Sequence, residues 1–201
     1  MQIRFLIASS LFLFFLNANA QNNITEAFKK SYYSESYLKY DEAINVVKSV
    51  YNADSYVINL RLGWLHYANG DLIESKRYYE KAIELEPKSI EARLGYAYPI
   101  DALTDVEGLK TNYESILKID PLHTLTNYRL ALIYYNKKDF TKAKKYLDTV
   151  LSLYPFDYDS LILIAAINVG LGNIEAAKTN YRLALLYNPE NAIITEELNK
   201  L

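Results

Sequence analysis

Apolar positions in this chain recur with helical spacing, and the helical stretches themselves recur. Large apolar residues stand at Leu62, Tyr96, Leu130 and Ile164, each 34 residues after the last. Each is followed by a small residue: Gly63, Ala97, Ala131, Ala165. A second set falls on the next helical stretch, at Tyr79, Tyr113, Leu147 and Tyr181, with Ala82, Ile116, Val150 and Ala184 three residues on. Polar residues punctuate the two sets. Asp71, Asp105, Asp139 and Asn173 share one phase, and Pro87, Pro121, Pro155 and Pro189 share another. The pattern predicts two helices per period. Small residues on one helix let its partner approach, and a Tyr or Leu from that partner fills the space left.

The punctuation has its own chemistry. Asp and Asn side chains accept hydrogen bonds from the free amides of a first helical turn, and Asp71 followed by Glu74 reads as a capping box. Gly70 and Gly172 suit the positive-φ residue that closes a helix, and Thr104 stands where the third period needs that glycine. Each proline ends a second helix, because it cannot donate to the ladder. Ser89, His123, Asp157 and Asn191 follow two residues later, where the next helix opens. Pro99 falls inside a helix, and its ring would press on the carbonyl of Gly95, so a bend is expected there. The periods predicted are 55–88, 89–122, 123–156 and 157–190, preceded by a degenerate one at 22–54. After them, Ile194, Leu198 and Leu201 share one face of a closing helix over 191–201.

These columns resemble the tetratricopeptide repeat family. The matching residues are Leu62, Gly63, Tyr79, Ala82 and Pro87; Leu130, Ala131, Tyr134, Ala143, Leu147 and Pro155; Ala165, Gly172, Ala177, Tyr181, Ala184 and Pro189. The third period departs from the pattern at Pro99, Thr104 and Leu109. The resemblance implies an all-α, right-handed solenoid over 21–201, with about five helix-turn-helix repeats and a C-terminal capping helix. It implies a concave groove lined by the first helix of each repeat. Its protein-binding residues would be Leu60, Arg61, Trp64, Tyr67, Tyr98, Tyr128, Arg129, Leu132 and Tyr135. Some members clamp a C-terminal carboxylate with Lys and Asn on these columns. Here those columns hold Leu60, Trp64, Leu94, Tyr98, Tyr128 and Leu132, so that clamp is not expected.

Residues 1–20, MQIRFLIASSLFLFFLNANA, carry an early Arg4, an apolar run from Phe5 to Leu16, and small residues at Ala18 and Ala20. This predicts a signal peptide cleaved after Ala20. The run is short for a span of about 20 residues, so no stable membrane insertion is expected after cleavage. A periplasmic or secreted, soluble location follows. The chain has no cysteine, which excludes disulfides, thiolate sites and a lipidated N-terminal Cys.

Composition narrows the function further. Lys and Arg number 22 against 24 Asp and Glu, so the basic excess of a nucleic-acid binder is missing. Of the two histidines, His66 reads as a packed core residue making one hydrogen bond, and His123 as a surface residue at a helix entry. No group has metal-ligand spacing, and no phosphate loop or nucleophile motif appears. No catalytic residue, metal or cofactor is therefore expected. Lys137, Lys138, Lys142, Lys144 and Lys145 read as a solvated face. The expected function is to bind a protein or peptide segment in an aromatic groove without catalysis. The alternatives are a structural accessory subunit of a cell-envelope assembly or transport complex and, more remotely, an enzyme.

Overall fold

The computed structural model describes residues 22–201; the expected signal peptide at 1–20 lies outside the described residues. Among the described residues every regular element is a helix. They are α1 (22–36), α2 (Tyr40–Lys48), α3 (Tyr56–Ala68), α4 (Leu72–Leu85), α5 (Ile90–Ala102), α6 (Val106–Ile119), α7 (Thr124–Asn136), α8 (Phe140–Leu153), α9 (Tyr158–Gly170), α10 (Ile174–Tyr187) and α11 (Ala192–Asn199). First helices open at residues 56, 90, 124 and 158, and second helices at 72, 106, 140 and 174. The spacing is the proline period. In the degenerate first pair, α2 opens at residue 40, two residues later than that period requires.

The chain divides into two compact units, one ending at Thr104 and the other beginning at Asp105. The pattern of apolar positions predicts no boundary here. It falls inside the period that carries Pro99, Thr104 and Leu109, the residues that depart from the repeat pattern. Helix α5 runs unbroken through the buried Pro99.

In the first unit Tyr79 of α4 is buried against two glycines. A Cβ added to Gly63 would lie 2.9 Å from the Tyr79 ring, and one added to Gly95 only 2.2 Å. The ring therefore occupies the volume that two missing side chains leave on α3 and α5. A further cluster joins Ala43, Ile44 and Val47 of α2 to Ile58, Leu62 and Leu65 of α3 and Tyr78 of α4. In the second unit, Leu147 packs with Ala131, and Tyr181 packs with Ala165. Gly170 admits the Phe140 ring, whose Cε2 would lie 2.5 Å from an added Cβ. The last core is closed by α11, where Ile194 is buried and Leu198 and Leu201 pack beside it.

The turn and cap columns behave as helix ends require. Gly70, Thr104, Lys138 and Gly172, one per period, all have positive φ, between 58° and 85°. The two non-glycines hold a backbone that costs an L-residue about 1 kcal/mol or more. Lys138→Gly is therefore expected to raise stability by about 1 kcal/mol, seen as a higher urea midpoint at unchanged slope. Ser89, His123, Asp157 and Asn191 each accept from an amide three residues on. His123, expected at the surface, is partly buried and serves as an N-cap. Tyr56 joins its hydroxyl to Ser89 Oγ at 2.8 Å, and Asn191 donates to the Tyr158 hydroxyl at 2.7 Å, so a first helix holds the next cap. The capping box at Asp71 does not form. Asn69 Nδ2 and His66 both lie against Asp71 Oδ2, and Glu74 instead accepts from Arg77.

Candidate binding faces

The expected groove residues lie on the first helices, and the structure treats them unequally. In the first unit, α1 reaches across to α3. Arg61 Nε donates to Ser31 Oγ at 2.9 Å, its Nη2 lies 2.6 Å from Glu35 Oε2, and its guanidinium stacks 3.8 Å above the Tyr32 ring. Trp64 Nε1 donates to the other Glu35 oxygen at 2.5 Å. Arg61 is 6 % exposed, so its charge is spent within the chain. Ser31 and Glu35 had no signal in the repeat pattern, because they belong to the degenerate first pair.

Beyond this clamp the aromatic side chains form a cluster. Trp64, Tyr67 and Tyr98 meet with ring centroids 5.2–6.0 Å apart. Tyr98 is half exposed. A cleft of about 400 Å³ beside it is lined by Leu60, Tyr79, Glu91, Leu94, Gly95 and Tyr98. Burial pushes the Tyr79 phenol well above its ordinary range. At the rim, Glu91 accepts from the Tyr56 hydroxyl at 3.1 Å.

In the second unit a larger cleft, about 610 Å³, lies between α7 and α9. Leu125, Tyr128, Leu132, Val150 and Tyr154 give it an apolar and aromatic lining; Arg129, Asp157 and Asp159 bring charge. Burial raises the Tyr128 pKa, and the Asp159 charge adds to this while Arg129 opposes it. Tyr135 lies apart from this cleft, its ring 5.7 Å from Phe140. Ser160 is fully buried in the cleft wall, and its hydroxyl has no partner among the described residues.

The remaining chemical candidates have structural roles. His66 Nδ1 lies 3.1 Å from Asp71 Oδ2, and its ring stacks on Tyr78 at 5.2 Å. A carboxylate only accepts, so Nδ1 carries the hydrogen and the buried Nε2 is a bare, unpartnered acceptor. Burial lowers the His66 pKa, outweighing the bond to Asp71. The sign for stability follows. An unfolded chain takes up a proton near pH 6.5 that the folded chain refuses. Stability is therefore present above about pH 6.5 and declines as pH falls from there toward the lower folded value. The urea midpoint of the first unit is expected to fall between pH 7.5 and 5.5, and His66→Gln should flatten that decline. In the lysine-rich stretch, Lys137 and Lys110 both pair with Glu107, lowering its pKa to about 2, and Lys142 and Lys144 pair with Asp139 and Asp148. Among the described residues no group of three or more His, Asp or Glu could hold a metal ion, and no helix is long and apolar enough to cross a membrane.

Comparison with known proteins agrees with this geometry. Residues 58–89 and 125–157, and residues 158–191, match family models described as Tetratricopeptide repeat. These stretches are tetratricopeptide repeats, and the unmatched interval between the first two contains the aberrant third period. A crystal structure of MamA is 18 % identical, covers 86 % of this chain and 95 % of its own, and gives a TM-score of 0.72. A tetratricopeptide repeat protein from Parabacteroides merdae is 20 % identical, with 88 % and 71 % covered and a TM-score of 0.77. At these identities the likeness is one of fold. No curated protein matches the chain. A tetratricopeptide fold points to a protein–protein interaction scaffold, and so to a protein partner.

Proposed function

We propose that this chain is an exported, non-catalytic scaffold that holds a segment of another protein against its first helices. The observation that carries the reading is the two clefts. Leu60, Leu94 and Tyr98 in the first unit, and Leu125, Tyr128 and Leu132 in the second, line concave spaces that the rest of their unit leaves uncovered. Each volume lies in the range of ligand sites, and half-buried tyrosines are side chains that dominate interface energetics. In this reading Arg61 and Trp64 position α1, while Tyr67, Tyr98, Tyr128, Leu132 and Arg129 meet the partner. Export rests on the charge, apolar run and small residues of 1–20.

Two measurements check it. The N-terminus of protein recovered outside the cytoplasm should be Gln21. The Tyr98→Ala/Tyr128→Ala double variant should lose roughly tenfold or more in partner affinity while its helical circular dichroism is kept. Retained affinity in that variant would contradict the face assignment. A second reading, an accessory subunit of an envelope assembly, draws on Phe156 at a turn between repeats and on Leu186 and Tyr187 at the end of α10, all of them exposed. It predicts loss of assembly when these are replaced and indifference at Tyr98 and Tyr128.

A further inference from the structure

One repeat position alternates in character along the chain. Val57, Glu91, Leu125, Asp159 and Ile193 stand 34 residues apart, and all five are exposed. Exposed residues at a helix start ordinarily carry no such order. In each unit the acid lines the cleft: Glu91 in the first, Asp159 in the second. Glu91 is engaged by Tyr56, but Asp159 makes no ion pair among the described residues. Asp157 beside it gives one oxygen to the Ser160 amide. The cleft of the second unit thus sets two carboxylates against one guanidinium, Arg129, within an aromatic and apolar lining.

Ser160 adds an independent observation. A buried hydroxyl without a partner costs about 1–3 kcal/mol, and native proteins leave few such groups. This one lies in the wall of the same cleft as Asp159. An ammonium group carries donors and no acceptor. It can donate to both the carboxylate and the hydroxyl, while its carbon stem lies along Tyr128 and Tyr154, whose ring faces attract a cation.

We propose that the α7–α9 cleft receives a lysine side chain borne on an otherwise apolar segment of the partner. Asp159 and Ser160 take the ammonium, and Leu125, Leu132 and Val150 take the apolar neighbours. Arg129 repels a second positive charge beside the first, so the cleft reads one lysine rather than a basic run. The proposal rests on the scaffold reading above and adds the charge of the partner to it.

The test uses the full chain and two fluorescein-labelled ten-residue peptides of leucine and serine, one with a single central lysine and one with a single central glutamate, followed by fluorescence anisotropy. The wild-type chain is expected to bind the lysine peptide about tenfold more tightly, with the difference shrinking at high salt. Asp159→Lys should reverse the order of the two peptides, whereas Glu190→Lys, at an exposed site outside the cleft, should leave it unchanged. Tyr128→Ala should weaken both peptides. An order unchanged by Asp159→Lys, or changed as much by Glu190→Lys, overturns the lysine assignment, as does a wild-type chain that binds neither peptide. If Tyr128→Ala weakens both peptides while Asp159→Lys does not alter their order, the scaffold reading stands and only the lysine falls. If Tyr128→Ala weakens neither, both fall. Circular dichroism on each variant separates lost binding from lost folding.

Discussion

Glu35→Ala should destabilise the first unit by about 3 kcal/mol, because it leaves the Arg61 charge buried without its partner. Arg61 is almost wholly enclosed, and Glu35 supplies one carboxylate oxygen to it and the other to the Trp64 indole. A single substitution therefore strands one buried charge and one indole donor. The damage should be local at first: hydrogen exchange should accelerate through α1 before it does in α4. If the contact behaved as a surface ion pair, the loss would be 1 kcal/mol or less. A second change discriminates between these accounts. Glu35→Ala/Arg61→Met removes the stranded charge and keeps an unbranched side chain in its place, so most of the lost stability should return. Failure of that double variant to recover would mean that shape, not charge, joins α1 to α3.

Gly95→Ala is expected to cost about 2 kcal/mol, against the ordinary direction of helix propensity. In a helix interior, alanine is normally favoured over glycine by about 1 kcal/mol. Here the new methyl would lie 2.2 Å from the Tyr79 ring, which Gly63 also adjoins closely. Overpacking a trapped ring costs about 1–3 kcal/mol, and the top of that range exceeds the propensity gain. Combining Gly95→Ala with Tyr79→Leu removes the clash, so the two losses should add to much less than their sum. Urea midpoints of the four species give the coupling. A stabilising Gly95→Ala would show that the ring has room to move and that Tyr79 is not the wedge of this core.

The same residue marks how far the sequence could be read. The columns of large and small residues located Gly63 against Tyr79, Ala131 against Leu147, and Ala165 against Tyr181, because a 34-residue period repeats each helix contact and one contact predicts the others. Gly95 lies off those columns. The sequence offered it only as a flexible point beneath Pro99, and its packing role needed the ring's position. Asp71 was read as half of a capping box, since Asp before a helix and Glu three residues on is the local signal. A tertiary neighbour, His66, and the adjacent Asn69 take that carboxylate, and no local rule anticipates this. The candidate faces were legible as positions on first helices. Which of them remained open was not, because Arg61 and Trp64 are closed off by Glu35, from a pair too degenerate to align. The division at Thr104 follows the same logic. Pro99, Thr104 and Leu109 were visible as departures from the pattern, but their combined effect on packing was not.

Site-specific photocrosslinking tests the central claim most directly. A photoreactive phenylalanine is placed singly at Tyr98, Tyr128, Ile73 or Leu186, and the full chain is irradiated in the cells that make it. Ile73 and Leu186 are exposed apolar controls on the second helices α4 and α10. The scaffold account predicts a protein partner captured from Tyr98 and from Tyr128, and little from the controls. A partner captured from Ile73 or Leu186 and absent at Tyr98 and Tyr128 would contradict it.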